Sequence, residues 1–367
     1  MRVGLDYRPA TIAPMSGIGR QVLALENALV QRDDTELVLM SEAPLGHPQR
    51  ETALCPAWPS SLEHLQRPQV RFRFERRFLP ATLRQEHIDL FIATANMGLP
   101  IGRKPSGTRY VLVLHDLFQL THRNFHRSIL TAVAYRFINT LSIAWSVWIA
   151  DQIWCPSQFS CNEAARIFPW AKSKLRVLHN LVPAFTDPPG ELPAGLPDRY
   201  WLLVGTREPR KNIAFFIKNW QLSRLENHQV PDLVLLGHPS DIAPELATLP
   251  GLHWLSGLSE AQLHALYVNA DYLWQPSIAE GFGLPVVEAL RVGTHVVVAQ
   301  GSALDEVAPP SARRFNPRDG VQIRAAIVDV AQTPPSADSQ SLIEWAQQFT
   351  EPAYRQRLDT LLKELGH

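Results

Sequence analysis

Short, continuously apolar runs recur along the chain, each closed by a glycine or polar turn and followed by a segment of helical period. Val3–Tyr7, Glu36–Met40, Leu90–Thr94, Tyr110–His115, Gln152–Cys155 and Leu175–Leu178 read as strands. Ser16-Gly17-Ile18-Gly19-Arg20 reads as a glycine turn opening a helix that runs to about Val30. The stretch 183–198, P-A-F-T-D-P-P-G-E-L-P-A-G-L-P-D, breaks the rhythm, which then restarts. Strands are predicted at Trp201–Val204, Leu233–Leu236, Leu252–Leu255, Tyr272–Gln275 and His295–Ala299, with helices between them that include Glu260–Asn269 and Val286–Arg291. Alternation of this kind implies βαβ units and parallel sheets. The expected architecture is α/β, with two doubly wound Rossmann-like domains facing a central cleft. The expected boundaries are 1–182, a linker at 183–198, a second domain at 199–340, and a helical tail at 341–367. The tail is expected to be interrupted at Pro352 and to pack back toward the N-terminal domain. Ligands of such sheets bind beyond the carboxyl ends of the strands.

Composition narrows the class. With 46% apolar and 19% charged residues the chain is globular in type. The longest apolar tract, 137–150, is too short to span a bilayer and is expected to be a buried core helix. Cys55, Cys155 and Cys161 are odd in number and lack C-x-x-C spacing, so reduced thiols in the cytosol are expected rather than a disulfide framework or zinc site. The opening M-R-V-G-L-D-Y-R reads as a strand and not as a secretory signal. The expected location is cytoplasmic, with room for peripheral contact at the inner face of the cytoplasmic membrane.

Net charge is zero, but residues 1–180 carry 21 Lys/Arg against 14 Asp/Glu, and 181–367 carry the inverse. A basic half suits an anionic phospholipid surface or a lipid diphosphate; solvated surface charge accounts for it equally well. The run R-F-R-F-E-R-R-F at 71–78 mixes cations and aromatics, which suits either an anionic membrane interface or a helix with a charged outer face. His122, Arg123, His126 and Arg127 form a further basic group that could meet an acceptor phosphate. Zero net charge and the lack of a reader motif argue against nucleic acid as a partner.

The most specific chemistry lies in E-G-F-G-L-P-V-V-E, where Glu280 and Glu288 flank a glycine turn and a proline. Gly281 and Gly283 allow close backbone approach, and Pro285 suits a first helical turn. A loop feeding a helix N-terminus would aim Gly281, Phe282, Gly283 and Leu284 at an anion between two carboxylates. Polyhydroxylated groups flanking a diphosphate need that set. G-T-R-E-P-R-K-N at 205–212 follows a strand and offers Arg207, Arg210 and Lys211 to a diphosphate. His115 ends a strand, where it could donate to or accept from a sugar hydroxyl or else be satisfied by backbone at the strand end. Gly17 and Gly19 form a turn that either borders phosphate or only joins strand to helix. No H-E-x-x-H, D-x-D, G-x-S-x-G or Walker A pattern occurs, so no cofactor and no catalytic metal are expected.

These elements in this order resemble the retaining glycosyltransferases of family 4, which have the GT-B architecture. The likeness covers nearly the whole chain and is strongest at Glu280 to Glu288, the family's E-x7-E motif. It implies that Glu280 faces the donor sugar and Glu288 holds the ribose. It implies that Lys211, with Arg207 or Arg210, holds the diphosphate, that His115 contacts the sugar, and that Gly17 and Gly19 border phosphates and acceptor. Thr206 departs from the arginine many members have there, and Leu181 from their glycine. The variants look most like bacterial mannosyltransferases and rhamnosyltransferase-like enzymes of surface polysaccharide assembly. That implies a GDP-linked nucleotide-sugar donor and a lipid-linked or glycan acceptor. A UDP-sugar donor, a soluble acceptor, or a non-catalytic glycan-binding role on the same fold are the alternatives.

Overall fold

The computed structural model describes residues 1–42, 51–55, 68–121, 129–333, 335 and 338–366. The basic group His122, Arg123, His126 and Arg127 lies outside the described residues. The chain forms two compact units, Met1–Leu181 with Tyr354–His367, and Val182–Ala353.

In the first unit seven strands pair in parallel: β1 (Arg2–Asp6), β2 (Glu36–Ser41), β3 (Glu51–Leu54), β4 (Leu90–Ala93), β5 (Arg109–Val113), β6 (Gln152–Cys155) and β7 (Leu175–Val177). Their order is β3-β2-β1-β4-β5-β6-β7. Val3, Leu5, Leu39, Leu90, Ile92 and Ile153 are fully buried, as central strands covered on both faces require. The helix Gly17–Val30 starts where expected because the Ser16 hydroxyl caps it, accepting from the Gly19 amide at 3.0 Å. The C-terminal helix Glu351–Glu364 places Tyr354, Leu358, Leu361 and Leu362 in the same core as Val22, Leu25 and Leu29. Pro352 does not interrupt the tail. It sits in the first turn of this helix, where it removes no needed N–H, and the break falls at 347–350.

Two expectations change here. The apolar tract near 137–150 belongs to a helix, Ile129–Ile149, but only one face of it is buried; Val133, Phe137, Leu141 and Trp148 are exposed. The Arg/Phe run is not one amphipathic face either. A π-helical turn at Phe74–Phe78 turns Phe74 and Glu75 inward, where Arg8 lies 4.1 Å over the Phe74 ring.

In the second unit six strands pair in parallel: β8 (Tyr200–Val204), β9 (Asp232–Leu236), β10 (Leu252–Leu255), β11 (Tyr272–Gln275), β12 (His295–Ala299) and β13 (Arg313–Phe315). Their order is β10-β9-β8-β11-β12-β13. An aromatic cluster locks the centre, with Trp274 of β11 at 5.0 Å from Trp201, 5.1 Å from Phe216 and 5.8 Å from Phe315. The proline-rich stretch after Val182 is irregular but fastened. Gly190 N–H donates to the Ala261 carbonyl, the Thr186 N–H and hydroxyl donate to Glu260, and His264 meets the Asp187 carbonyl.

Candidate functional site

Two loops of the second unit converge at the carboxyl ends of β8 and β11. After β8 the chain turns at Gly205, whose φ of +80° favours glycine, and passes through Pro209–Lys211 to the helix Ile213–Glu226. After β11 it runs to Gly283, also left-handed at φ 102°, and enters the helix Leu284–Arg291. A Cβ at Gly283 would come within 2.5 Å of Leu304. The Ile278 amide donates to the Arg210 carbonyl at 2.8 Å and joins the loops.

Glu280 sits at their junction and is buried. Its Oε1 accepts from Lys211 Nζ at 2.7 Å, Ser277 Oγ at 2.8 Å and Gln275 Nε2 at 2.9 Å. Its Oε2 accepts from Arg210 Nη1 at 2.7 Å. Burial pushes this carboxyl up, but the charges of Lys211 and Arg210, with hydrogen bonds from Lys211 and Ser277, outweigh it and hold the group at about 2. It is therefore a fixed anion at neutral pH. Arg210 also pairs with Glu208 at 2.8 and 3.0 Å; burial pulls its guanidinium down, and Glu280 and Glu208 raise it further. Arg207 is exposed and stands outside this cluster. Thr206, where many family members have arginine, is buried and donates to Asp241. It packs so closely on Gly237 that a Cβ there would meet its Oγ1 at 1.6 Å.

Phe282 turns its ring into the core, edge-on to Phe349 at 5.3 Å, which fixes the backbone of the glycine turn. Glu288 is buried within the helix that follows, and Tyr267 Oη donates to its Oε2 at 2.6 Å.

His115, Gly17 and Gly19 belong to the first unit. His115 follows β5 and is buried, with its backbone N–H on Asn96 Oδ1 at 2.7 Å and Nε2 at 2.9 Å from the Thr94 carbonyl. A carbonyl only accepts, so Nε2 carries the proton and Nδ1 keeps its lone pair. Burial lowers the imidazole pKa against the opposing pull of the Thr94 carbonyl and Asp116, leaving it neutral. With Gln21, Thr94, Asn180 and Tyr354 it lines a cavity of about 20 Å³, room for about one water. Gly19 has a structural cause of its own: a Cβ there would meet the Ala13 carbonyl oxygen at 2.2 Å. Gly17 opens the helix and is exposed.

The structure thus joins Glu280, Lys211 and Arg210 in one hydrogen-bonded group and sets Gly281 to Leu284 and Glu288 along the adjoining turn and helix. Sequence reasoning missed Gln275, Ser277 and Tyr267 as partners of the two carboxylates, and Asn96 as the residue that fixes the His115 turn. Gln275 and Ser277 had a signal, since polar residues closing an apolar strand face the ligand edge. Tyr267 had none. Among the described residues no three His, Cys, Asp or Glu side chains are placed to hold a metal ion.

Comparison with known proteins bears on this arrangement. Residues 15–184 match the family described as Glycosyltransferase Family 4, and residues 190–316 match Glycosyl transferases group 1. Each match covers less than half of the chain; together they make most of it similar to glycosyltransferases of these two families. The second match contains Gly205 to Lys211 and Glu280 to Glu288. The chain is similar to O-antigen chain mannosyltransferase B of Escherichia coli, 34% identical over 36% of this chain and 37% of that protein. It is similar as well to O-antigen chain mannosyltransferase RfbU of Salmonella typhimurium, 33% identical over 37% of this chain and 40% of that protein. The chain thus spans well under half the length of these curated relatives. Among solved structures, sucrose-phosphate synthase from Thermosynechococcus elongatus superposes with a TM-score of 0.72 at 17% identity, over 100% of this chain and 99% of that one. The two-sheet α/β architecture is the GT-B fold.

Proposed function

We propose that the protein is a retaining hexosyltransferase that moves mannose, or a 6-deoxyhexose such as D-rhamnose, from a GDP-sugar to a lipid-diphosphate-linked glycan in bacterial surface polysaccharide synthesis. The observation that carries this is the buried Glu280 anion, which holds Lys211 and Arg210 beside the Gly283–Leu284 helix start. The mannosyltransferase names of the two O-antigen relatives support the choice of sugar and pathway.

In this reading the donor diphosphate meets Lys211, the exposed Arg207 and the amides at the helix start, while Arg210 stays committed to Glu208 and Glu280. Glu288, held by Tyr267, takes the ribose hydroxyls. Glu280 Oε2 has one protein donor and keeps acceptor capacity for a donor-sugar hydroxyl. His115 Nδ1 accepts from a second hydroxyl. The bond from the anomeric carbon to the phosphate oxygen breaks, the acceptor oxygen bonds to the same face, and its proton passes to the departing phosphate. Lys211 stabilises charge on that leaving group, a contribution of roughly 2.7–4 kcal/mol for one preorganised donor. The reading needs no metal or organic cofactor.

The test is thermal stabilisation by GDP, UDP, ADP and their sugar conjugates, followed by product stereochemistry for any donor that binds. A ligand at 100 times its dissociation constant adds about 2.7 kcal/mol. Stabilisation by GDP, larger with GDP-mannose or GDP-rhamnose, and an α-linked product from an α-linked donor are expected. Stabilisation by UDP alone would overturn the donor. Stabilisation by no nucleotide, or undiminished turnover in Lys211→Ala, would overturn the mechanism.

A further inference from the structure

Among the described residues, the side-chain bonds that pin the helix Ile129–Ile149 fall mainly along its inner face. Ser146 Oγ accepts from the amides of Gly98 and Leu99 at 3.3 and 3.4 Å, and Trp145 Nε1 donates to the Pro100 carbonyl at 3.1 Å. Arg71 reaches across to Asn139 and Ser142 at 3.2 and 2.9 Å. On the outer face Val133, Phe137 and Leu141 recur every four residues and are 62%, 64% and 55% exposed, and Trp148 continues the stripe at 63%. Residues four apart are neighbours on a helix, so this is one apolar strip rather than scattered side chains. Phe72, 48% exposed, lies one residue from Arg71, which grips the same helix.

We propose that this face docks on an anionic membrane surface, with the helix lying in the headgroup region parallel to the bilayer. Charge selects this occupant. Residues 71–174 carry fourteen Lys/Arg against six Asp/Glu. Arg136 is exposed on the helix itself, Arg76 is exposed and lies 5.6 Å over the Phe72 ring, and Arg103 and Lys172 are exposed on the segments whose Pro100 and Lys174 hold the helix. Of the carboxylates, Glu75 is buried, Asp151 is paired with Lys104 and Arg109, and Glu163 is paired with Arg166. Exposed apolar side chains flanked by an excess of cations are the pattern of an interfacial helix. Trp148 and Trp170, the latter on the adjoining turn Pro169–Lys174 whose Lys174 donates to the Trp148 carbonyl, supply the amphipathic aromatics that favour the headgroup level. No helix among the described residues is long and apolar enough to cross a membrane, so the helix lies on the surface rather than spanning it. A second copy docking through the same face would bring two positive surfaces together, which opposes self-association.

Docking is separate from sugar transfer, and the experiment reads it without any donor or acceptor. The full chain is sedimented with vesicles of phosphatidylcholine alone, and of phosphatidylcholine and phosphatidylglycerol in equal parts. Binding is expected only to the second, weakening as salt is added. Phe137→Ser and Leu141→Ser are expected to lower partitioning about tenfold each, since each removes most of one buried apolar side chain. Phe137→Trp is expected to retain it. Both positions are exposed, and an unchanged circular dichroism spectrum and urea midpoint for each variant report that the first unit, which carries them, is intact. Equal binding to both vesicle types, no binding to either, or undiminished binding by the serine variants would overturn the proposal. So would concentration-dependent dimerisation that the serine variants abolish, because the face would then be an interface between copies.

Discussion

Glu280→Gln tests the electrostatic reasoning most directly. The carboxylate collects Lys211, Arg210, Ser277 and Gln275 within 2.7–2.9 Å. Glutamine keeps the shape but removes the charge, and its amide would set a donor against either Arg210 or the Lys211 side. Two nearly buried cations then lose their shared anion. Breaking a buried pair costs about 3–5 kcal/mol, and Arg210 keeps Glu208, so the lower end applies. The proton linkage gives the same size independently. A carboxyl at 4.5 in the unfolded chain and about 2 in the folded one contributes about 3 kcal/mol near neutrality. Its folded pKa is depressed, so that stability is present above pH ~4.5 and is lost as the pH falls through ~2. About 2 kcal/mol of it disappears between about pH 5 and pH 3. The assay is urea denaturation followed by tryptophan fluorescence from the Trp201, Trp220 and Trp274 core, at pH steps across that window. Glu280→Gln is expected to lose about 3 kcal/mol near pH 7, roughly 6–12 °C in the melting of this unit, and to show a flatter acid limb. A loss below about 1 kcal/mol, or an acid limb as steep as that of the parent, would refute the reasoning.

Three further outcomes follow from other parts of the fold. Glu42 is buried at the end of β2 with neither carboxylate oxygen hydrogen-bonded among the described residues, and burial, against the pull of Arg8, raises it to about 7. Its folded pKa is raised, so its own contribution to stability is full below pH ~4.5 and is lost as the pH rises through ~7; Glu75, raised to about 7 by the same burial beside Arg8, adds a second such loss, so Glu42→Gln should shrink the alkaline decline and be more stable than the parent near pH 8, as read by melting temperature against pH. Tyr267→Phe removes the donor to Glu288 and should cost about 1.5–3 kcal/mol, with weaker stabilisation by every nucleotide if Glu288 holds ribose. Gly237→Ala should cost about 1–3 kcal/mol in denaturant titration by overpacking Thr206, and Thr206→Gly should recover part of that loss in the double variant.

The central strands were legible because burial on both faces demands uninterrupted apolar runs, and β6, β11 and β12 fall on the predicted residues. Of the edge strands, β7 and β10 were legible, but β3 and β13 were not. E-T-A-L and R-R-F lie at the margins of their sheets, where one side meets solvent and the apolar signal is diluted. Apolar content alone could not tell which face of Ile129–Ile149 is covered, since an exposed strip and a buried one have the same composition. The glycine turn at Gly19 was ambiguous in sequence between phosphate approach and backbone crowding; the Ala13 carbonyl supplies the crowding. Glu280 stood out through its spacing from Glu288, whereas its tie to Lys211 and Arg210 spans sixty-nine and seventy positions and exists only after the sheet has formed. Thr206 looked like a missing cation. In the fold it is a buried wedge over Gly237, a role that spacing cannot express.

The division of the chain at Leu181 and again at Ala353 has a consequence for synthesis on the ribosome. Residues 182–353 form one continuous segment and can close their core as soon as they emerge. The earlier residues cannot. Their core waits for Tyr354, Leu358, Leu361 and Leu362, which are made only after the whole of the second unit. Residues 1–181 are therefore translated before the second unit but completed after it, and their unfilled apolar core is open to chaperones for as long as the second unit takes to be translated.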